Sequence, residues 1–375
     1  MAVHGALKTN GPLTFPSMAL ERCLALLLTL SLAGTCCDVQ AQFWEFVHRM
    51  LNGDSTAGPD FDTTYIASYR DDLVLSPIMA HQSASVNLSR TDGNDLGLTT
   101  NTPVQYGLAL DYKWLGVEYT ATIAGLSSID SDRGATESRG LGFGYTGRKW
   151  WFRNMLRQSK GFHVDDPTAV VPDWNEGDPY PYRGDMETVT YMATLNHGSN
   201  SRRYSHTAAL WQMERQKRSA GSWVVGGTFW FTRTTVDSSL VPLYQRELYE
   251  VPITVTSVRR WVVGVTGGYT YTLSLWGRGF ANLMVVPGLG AQQQALGTSQ
   301  GSSMNAGWST AITAEVRVGA GYVGDHWYIA LTAYSFQSTG HVTPDVQLGN
   351  GLASARLAAG WRIHHIRPII PALGL

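Results

Sequence analysis

From about residue 73 to residue 363 the chain alternates bulky side chains with small or polar ones. Residues 259–288, "RRWVVGVTGGYTYTLSLWGRGFANLMVVPG", illustrate it. Trp261, Val263, Val265, Tyr269 and Tyr271 fall on one face of an extended chain, and Arg260, Gly264, Thr266, Gly268, Thr270 and Thr272 on the other. The same period predicts clean strands at 104–112, 115–123, 141–145, 223–231, 312–322, 327–333 and 353–363. Less regular ones are expected at 74–88, 149–160, 186–196, 204–217 and 276–287. No window of ten or more residues after position 60 keeps a helical period, so the chain is read as all-β.

The connections separate a barrel from a sandwich. Tight turns fall near 113, at 147–149, at 218–221, near 273 and at 324–326. Long polar stretches fall at 89–102, 126–139, 161–185, 236–257, 289–307 and 337–351. Short turns at one end and long loops at the other are the pattern of a transmembrane antiparallel up-and-down β-barrel; a sandwich has mixed loops at both ends. With both termini at one end the strand number is even. A further strand hidden near 162–171 gives fourteen, although Pro167 opposes it, and one spurious segment gives twelve.

Charge then assigns the faces. Asp111 and Lys113 oppose Leu110 and Tyr112; Glu118 opposes Val117 and Tyr119. Glu315 and Arg317 oppose Ala314, Val316 and Val318; Arg356 and Arg362 oppose Leu357 and Trp361. A charge facing lipid at mid-membrane costs roughly 2–4 kcal/mol, so the charged face is the lumen and the bulky face meets lipid. Mixed signs predict ion pairs filling a narrow interior, where an open pore calls for a more one-sided lining. Trp150, Trp151, Trp223, Trp230, Trp261, Trp276, Trp308, Trp327 and Trp361 lie near strand ends, where an aromatic girdle belongs.

Composition agrees. Charged residues are 15% against roughly 25% in soluble domains, with 40 Gly and a mean hydropathy near zero. A net charge of −1 gives no reason to expect nucleic acid as a partner. "MALERCLALLLTLSLAGTCCDVQAQFWEF" reads as a signal peptide with Met18 as an alternative start, cleaved after Ala41. Cys23, Cys36 and Cys37 leave with it. Four regions are therefore expected: extension and signal peptide at 1–41, a periplasmic segment at 42–72, the barrel at 73–363 and a tail at 364–375. The periplasmic segment starts with helical spacing of Phe43, Phe46, Val47, Met50 and Leu51.

"YSHTAALWQMERQKRSAGS" at 204–222 is similar to a segment of the DUF4421 family of Bacteroidetes. "DTTYIASY" at 62–69, "YGLALDYKWLGVEY" at 106–119, "QSKGF" at 158–162 and "GWRI" at 360–363 follow in matching order. The resemblance covers about residues 60–363 and implies an outer-membrane-type barrel, with no catalytic residues to carry over.

Chemistry is sparse. No metal or cofactor spacing appears, and His163 with Asp165 and Asp166 reads as a solvated loop. A rim hydrolase would draw on His197, Ser205 and His206, beside Asn196 and Ser199, near the outer rim. The favoured reading is a structural or interaction barrel with a narrow, charge-lined lumen and extracellular loops. A small-solute pore and a lipid-modifying rim hydrolase are the alternatives. Its expected partners are outer-membrane lipid and lipopolysaccharide, and the barrel-assembly machinery; an unknown small solute belongs to the pore reading.

Overall fold

The computed structural model describes residues 60–364 apart from 92, 94, 124, 127–130, 172, 242–254, 299–302 and 342–344. The expected signal peptide, the helical spacing after residue 42 and the tail past residue 364 lie outside the described residues.

Fifteen strands are described: β1 Ile66–Ser68, β2 Leu73–Arg90, β3 Asp95–Thr99, β4 Gln105–Tyr112, β5 Leu115–Ala121, β6 Glu137–Thr146, β7 Trp150–Val164, β8 Tyr182–Gly198, β9 Glu214–Gln216, β10 Ala220–Thr235, β11 Val255–Leu275, β12 Gly279–Thr298, β13 Ser303–Val323, β14 Trp327–His341 and β15 Val346–Ile363. One short helix, α1, covers His206–Leu210. Twelve strands make the wall: β2, β4 to β8 and β10 to β15, all antiparallel. The ring closes where β15 pairs with β2, from Val346 opposite Arg90 to Ile363 opposite Leu73. Closure leaves no open edge, which a backbone in lipid requires. β3 is an insert at the long-loop end: it pairs with β2 and, through Leu98 and Thr99, with β7, bridging above the shorter β4, β5 and β6.

The turn chemistry explains the tight end. Arg278 N donates to Leu275 O at 3.2 Å, and φ is positive at Trp276 (49°) and Gly277 (75°). Positive φ at both central residues is the hairpin turn whose twist matches its strands. At the other end the loops are shorter than the sequence suggested. β12 runs on to Thr298 and β13 starts at Ser303; β14 reaches His341 and β15 starts at Val346. Strands of 20 and 21 residues, rising about 3.3 Å per residue, are taller when tilted than the roughly 25 Å apolar band. The wall therefore continues past the apolar band, and the ends of β12 and β14 take up residues that the sequence pattern reads as loop.

The bulky face points outward. Val225, Val263, Val265, Leu289 and Ile312 are all more than half exposed, Val265 at 72%. Their strand neighbours Arg260, Glu315 and Arg317 are at most 5% exposed. Outward apolar side chains on every strand face of a closed wall are the signature of a transmembrane barrel. Trp150, Trp223, Trp261, Trp276, Trp308, Trp327 and Trp361 face out as the girdle requires, but Trp151 and Trp230 do not. Trp151 stacks on a lumen histidine and Trp230 packs against Phe336 inside the barrel, 4.6 Å between ring centroids. Strand-end position alone does not fix the side; the phase does.

The predicted strand at 204–217 is absent from the wall, which settles the parity at twelve. Only β7 and β8 lie between the turns at 147–149 and 199–219, so removing one segment, not adding one at 162–171, restores an even count.

The lumen is filled. At the long-loop end Met186, Met192, Phe162, Trp230, Phe336 and Leu348 form one apolar cluster with Leu240 and Val241. At the opposite end Tyr328 lies across the wall facing Gly360, its hydroxyl 2.7 Å from Ser76 Oγ. A Cβ on Gly360 would come within 1.9 Å of that ring, so only glycine lets it lie flat.

Candidate functional site: the lumen and its plug

Residues 199–219 leave β8 and return to β10 by folding into the barrel. Tyr204 to Ala209 are six consecutive buried residues. A wall strand cannot bury six in a row, because alternate side chains must face out. Ser205 caps α1, its Oγ accepting from Ala208 N at 2.9 Å. β9 then pairs with β1, Ile66 opposite Gln216 and Ser68 opposite Glu214. The segment before β2 is thereby stitched to the plug.

Glu214 is the centre of this plug. It is fully buried, with Arg70 Nε at 2.9 Å and both terminal nitrogens of Arg148 at 2.9 and 3.0 Å. Ser205 Oγ donates to it as well, and Gln216 Oε1 accepts from Ser205 N at 3.0 Å. Burial pushes the Glu214 carboxyl up, but Arg70, Arg148 and the Ser205 and Thr207 hydroxyls outweigh it and hold the group below its ordinary value. Arg362 clamps the other side, donating to Gln212 O at 2.7 Å and Gly324 O at 2.6 Å with its guanidinium 4.1 Å from the Tyr69 ring.

Above the plug, Trp211 meets a layer of charge. Arg153 lies 5.5 Å over the Trp211 ring and 5.8 Å from Tyr334. Glu315 pairs with Arg317, and Arg356 Nε sits 3.1 Å from Glu118 Oε2. Two cavities of ≈ 20 Å³ flank Arg153. That is room for a water or a small ion, not for a solute.

Asp111, Glu118, Glu315, Arg317, Arg356 and Arg362 thus all turn inward. Lys113 is a correction. It sits in the turn after β4 with φ 51°, its ammonium 5.4 Å from the Tyr112 ring, where a two-residue turn breaks the alternation. Tyr112 is for the same reason buried rather than lipid-facing. His197, Ser205 and His206 also move: they lie at the tight-turn end, not at the long-loop rim. His197 lies tilted against Trp150, 4.6 Å between ring centroids, whereas His206 lies inside, flat on Trp151 at 4.4 Å. Ser205 is bonded to Glu214 and Thr207, not to a histidine, and His206 Nε2 has no hydrogen-bond partner. The three make no nucleophile–base pair. Asp165 accepts from Thr99 Oγ1 of β3 and lies 3.8 Å from His163 Nε2, and Asp166 accepts from Thr168 N, so one carboxylate ties β3 to the end of β7 and the other caps the turn after it.

Sequence reading does not single out Glu214, Arg70, Arg148, Arg153 or Arg157, and it puts Arg260 on the face opposite the bulky one without a role. Arg260 is buried against neutral acceptors only, Gln292 Oε1 at 2.7 Å, Ser338 O at 2.9 Å and Asn350 Oδ1 at 2.8 Å. One signal was available: the most distinctive sequence stretch, 204–222, also had the poorest alternation.

Burial, then Arg70 and Arg148, hold the His206 imidazole well below the ordinary value. The unfolded chain takes up a proton below about pH 6.5 that the folded chain refuses, so stability falls as pH drops through that point. His206→Phe keeps a flat ring on Trp151 without a titrating group. Its unfolding free energy between pH 7 and pH 5 should be flatter than wild type by up to one proton, read by denaturant titration. Parallel curves would remove His206 as the cause.

No curated protein sequence matches the chain. Among solved structures, the outer membrane protease OmpT of Escherichia coli is similar at TM-score 0.36 and 8% identity, covering 79% of this chain and 98% of that one. The β domain of the Bordetella autotransporter BrkA gives 0.34 and 12%, covering 75% and 98%. The Pseudomonas putida toluene transporter TodX gives 0.27 and 9%, covering 79% and 91%. No residue role is carried over from them. The model of the family described as a domain of unknown function, DUF4421, matches residues 60–362, and the chain belongs to that family.

Proposed function

We propose that this protein is an outer-membrane barrel with a structural or interaction role, sealed to solutes and displaying its long loops outside the cell. The observation that carries the reading is the filled lumen: an apolar cluster at one end, an ion-paired layer in the middle and the Glu214-centred plug at the other. A solute pathway needs a continuous wet channel, and the cavities beside Arg153 hold about one water each. On this reading the outward face contacts outer-membrane lipid and lipopolysaccharide, insertion depends on the barrel-assembly machinery, and a cleaved signal peptide directs export. The loop from 165 to 178 carries Asp165, Asp166, Asp173, Glu176 and Asp178 with no basic residue. Its sign suits a cationic partner.

Two measurements test this together. No cysteine follows residue 41, so Asp173→Cys and Gly277→Cys are single probes for an impermeant maleimide. Asp173→Cys should label on intact cells and Gly277→Cys only after the outer membrane is opened; the reverse would invert the topology. Purified protein in planar bilayers should show no stepwise conductance. Steady ion-sized openings in the wild type would return the pore reading.

A further inference from the structure

We infer that the mid-lumen cavity bounded by Arg153, Arg317, Arg356 and Tyr334 is a binding site for a small monovalent anion, chloride above all. Three guanidinium groups line it and one carboxylate, Glu118, does so with them. Two of those cations are already matched, Arg317 by Glu315 and Arg356 by Glu118. Arg153 is not. Among the described residues it has no hydrogen-bond acceptor and no carboxylate at ion-pair distance, only the Trp211 and Tyr334 rings. A guanidinium offers five N–H donors and does not lose its proton in a protein, so its charge must be met by something in the cavity it faces.

Arg157 increases the excess. It is 2% exposed, and its bonds go to Tyr334 Oη at 3.2 Å and Met155 Sδ at 3.7 Å, with Nε and one terminal nitrogen unpartnered. The layer thus carries Arg153, Arg157, Arg317 and Arg356 against Asp111, Glu118 and Glu315, four positive groups to three negative at most. The second cavity settles which space takes the anion. Asp111 and Glu118 line it with Arg153 as the sole cation, so its sign suits water or a cation. The first has the opposite sign. At ≈ 20 Å³ it accepts a halide and excludes acetate or phosphate with their hydration.

The test uses the full chain refolded into detergent, so that the sealed cavity loads during folding. Unfolding midpoints are compared at constant ionic strength in sodium chloride, sodium bromide and sodium gluconate. The halides should raise the midpoint, with the gain growing as the logarithm of concentration once the site fills. Arg153→Gln should abolish the difference between chloride and gluconate. Crystals grown from protein refolded in bromide should show an anomalous peak between Arg153 and Arg317, which needs no variant to fold. Equal midpoints in the wild type, or a cavity without that peak, would overturn the proposal.

Discussion

Glu214→Ala is expected to cost about 3–5 kcal/mol of folding free energy, the range for removing one partner of a buried ion pair. The loss comes from what is left behind. Arg148 keeps 9% of its side-chain exposure and Arg70 21%, and both would face an apolar gap where two carboxylate oxygens had been. Ser205 would lose an acceptor at the same time, while its bond to Ala208 N keeps the helix cap. Arg362 and the packing of Trp211 and Met213 on Val224, Met284 and Val286 still hold the plug to the wall, so the damage should be local. We expect the variant to insert as a barrel and to flicker open in planar bilayers, whereas the wild type stays silent. Glu214→Gln retains the shape and part of the bonding and should fall between the two. Replacing the pair, Arg148→Met with Glu214→Leu, should recover part of the stability, because the more deeply buried Arg148 is no longer stranded; Arg70 loses its carboxylate too but is 21% exposed and keeps Thr146 O at 2.9 Å. The sign with pH is fixed too. A carboxylate held below its ordinary value contributes stability above the unfolded range and loses it as pH falls through the folded value, so acid should open the wild-type plug. A loss under about 1 kcal/mol in Glu214→Ala would make the cluster a solvated pair and not a latch.

Which parts were legible follows from how many residues carry each signal. Wall strands repeat one rule over dozens of positions, so Val263, Val316 and Leu357 declare their face, and their charged neighbours theirs. The lumen charges Glu315, Arg317 and Arg356 followed from the same rule. The plug obeys no period. Its Tyr204–Ala209 run is buried all round, and short polar–apolar mixtures of that kind read equally well as an irregular strand. Glu214 and Arg148 lie 66 residues apart and meet only because β1 and β9 pair inside a closed ring. Nothing local to either residue marks the contact. Trp151 and Trp230 lie near strand ends but carry the inward phase of their strands, and the phase, not the position, sets their side.

Val316→Arg and Arg317→Val should both be costly, for opposite reasons. Val316 and Arg317 are neighbours on β13 and point to opposite sides of the wall. Val316 is 37% exposed on the outer face, between Val285 and Ser335 of the adjoining strands. A guanidinium there meets hydrocarbon and should cost roughly 2–4 kcal/mol. From sequence, Arg317→Val looked cheap if the lumen were wet, at about 0–1 kcal/mol. The lumen is not wet at that point: Arg317 and Glu315 are both at most 5% exposed, so losing the arginine strands a buried carboxylate and should cost about 3–5 kcal/mol. The decisive control changes volume without charge. Val316→Leu, Val318→Leu and Leu331→Met together enlarge a face that all three share, each at least 37% exposed. Fluid lipid should absorb the added carbon with little change, whereas a close-packed protein core would resist by about 1–3 kcal/mol. Folding free energies in lipid vesicles by denaturant titration give all three values. A large loss in the triple variant would mean that the outward face packs against protein and not lipid.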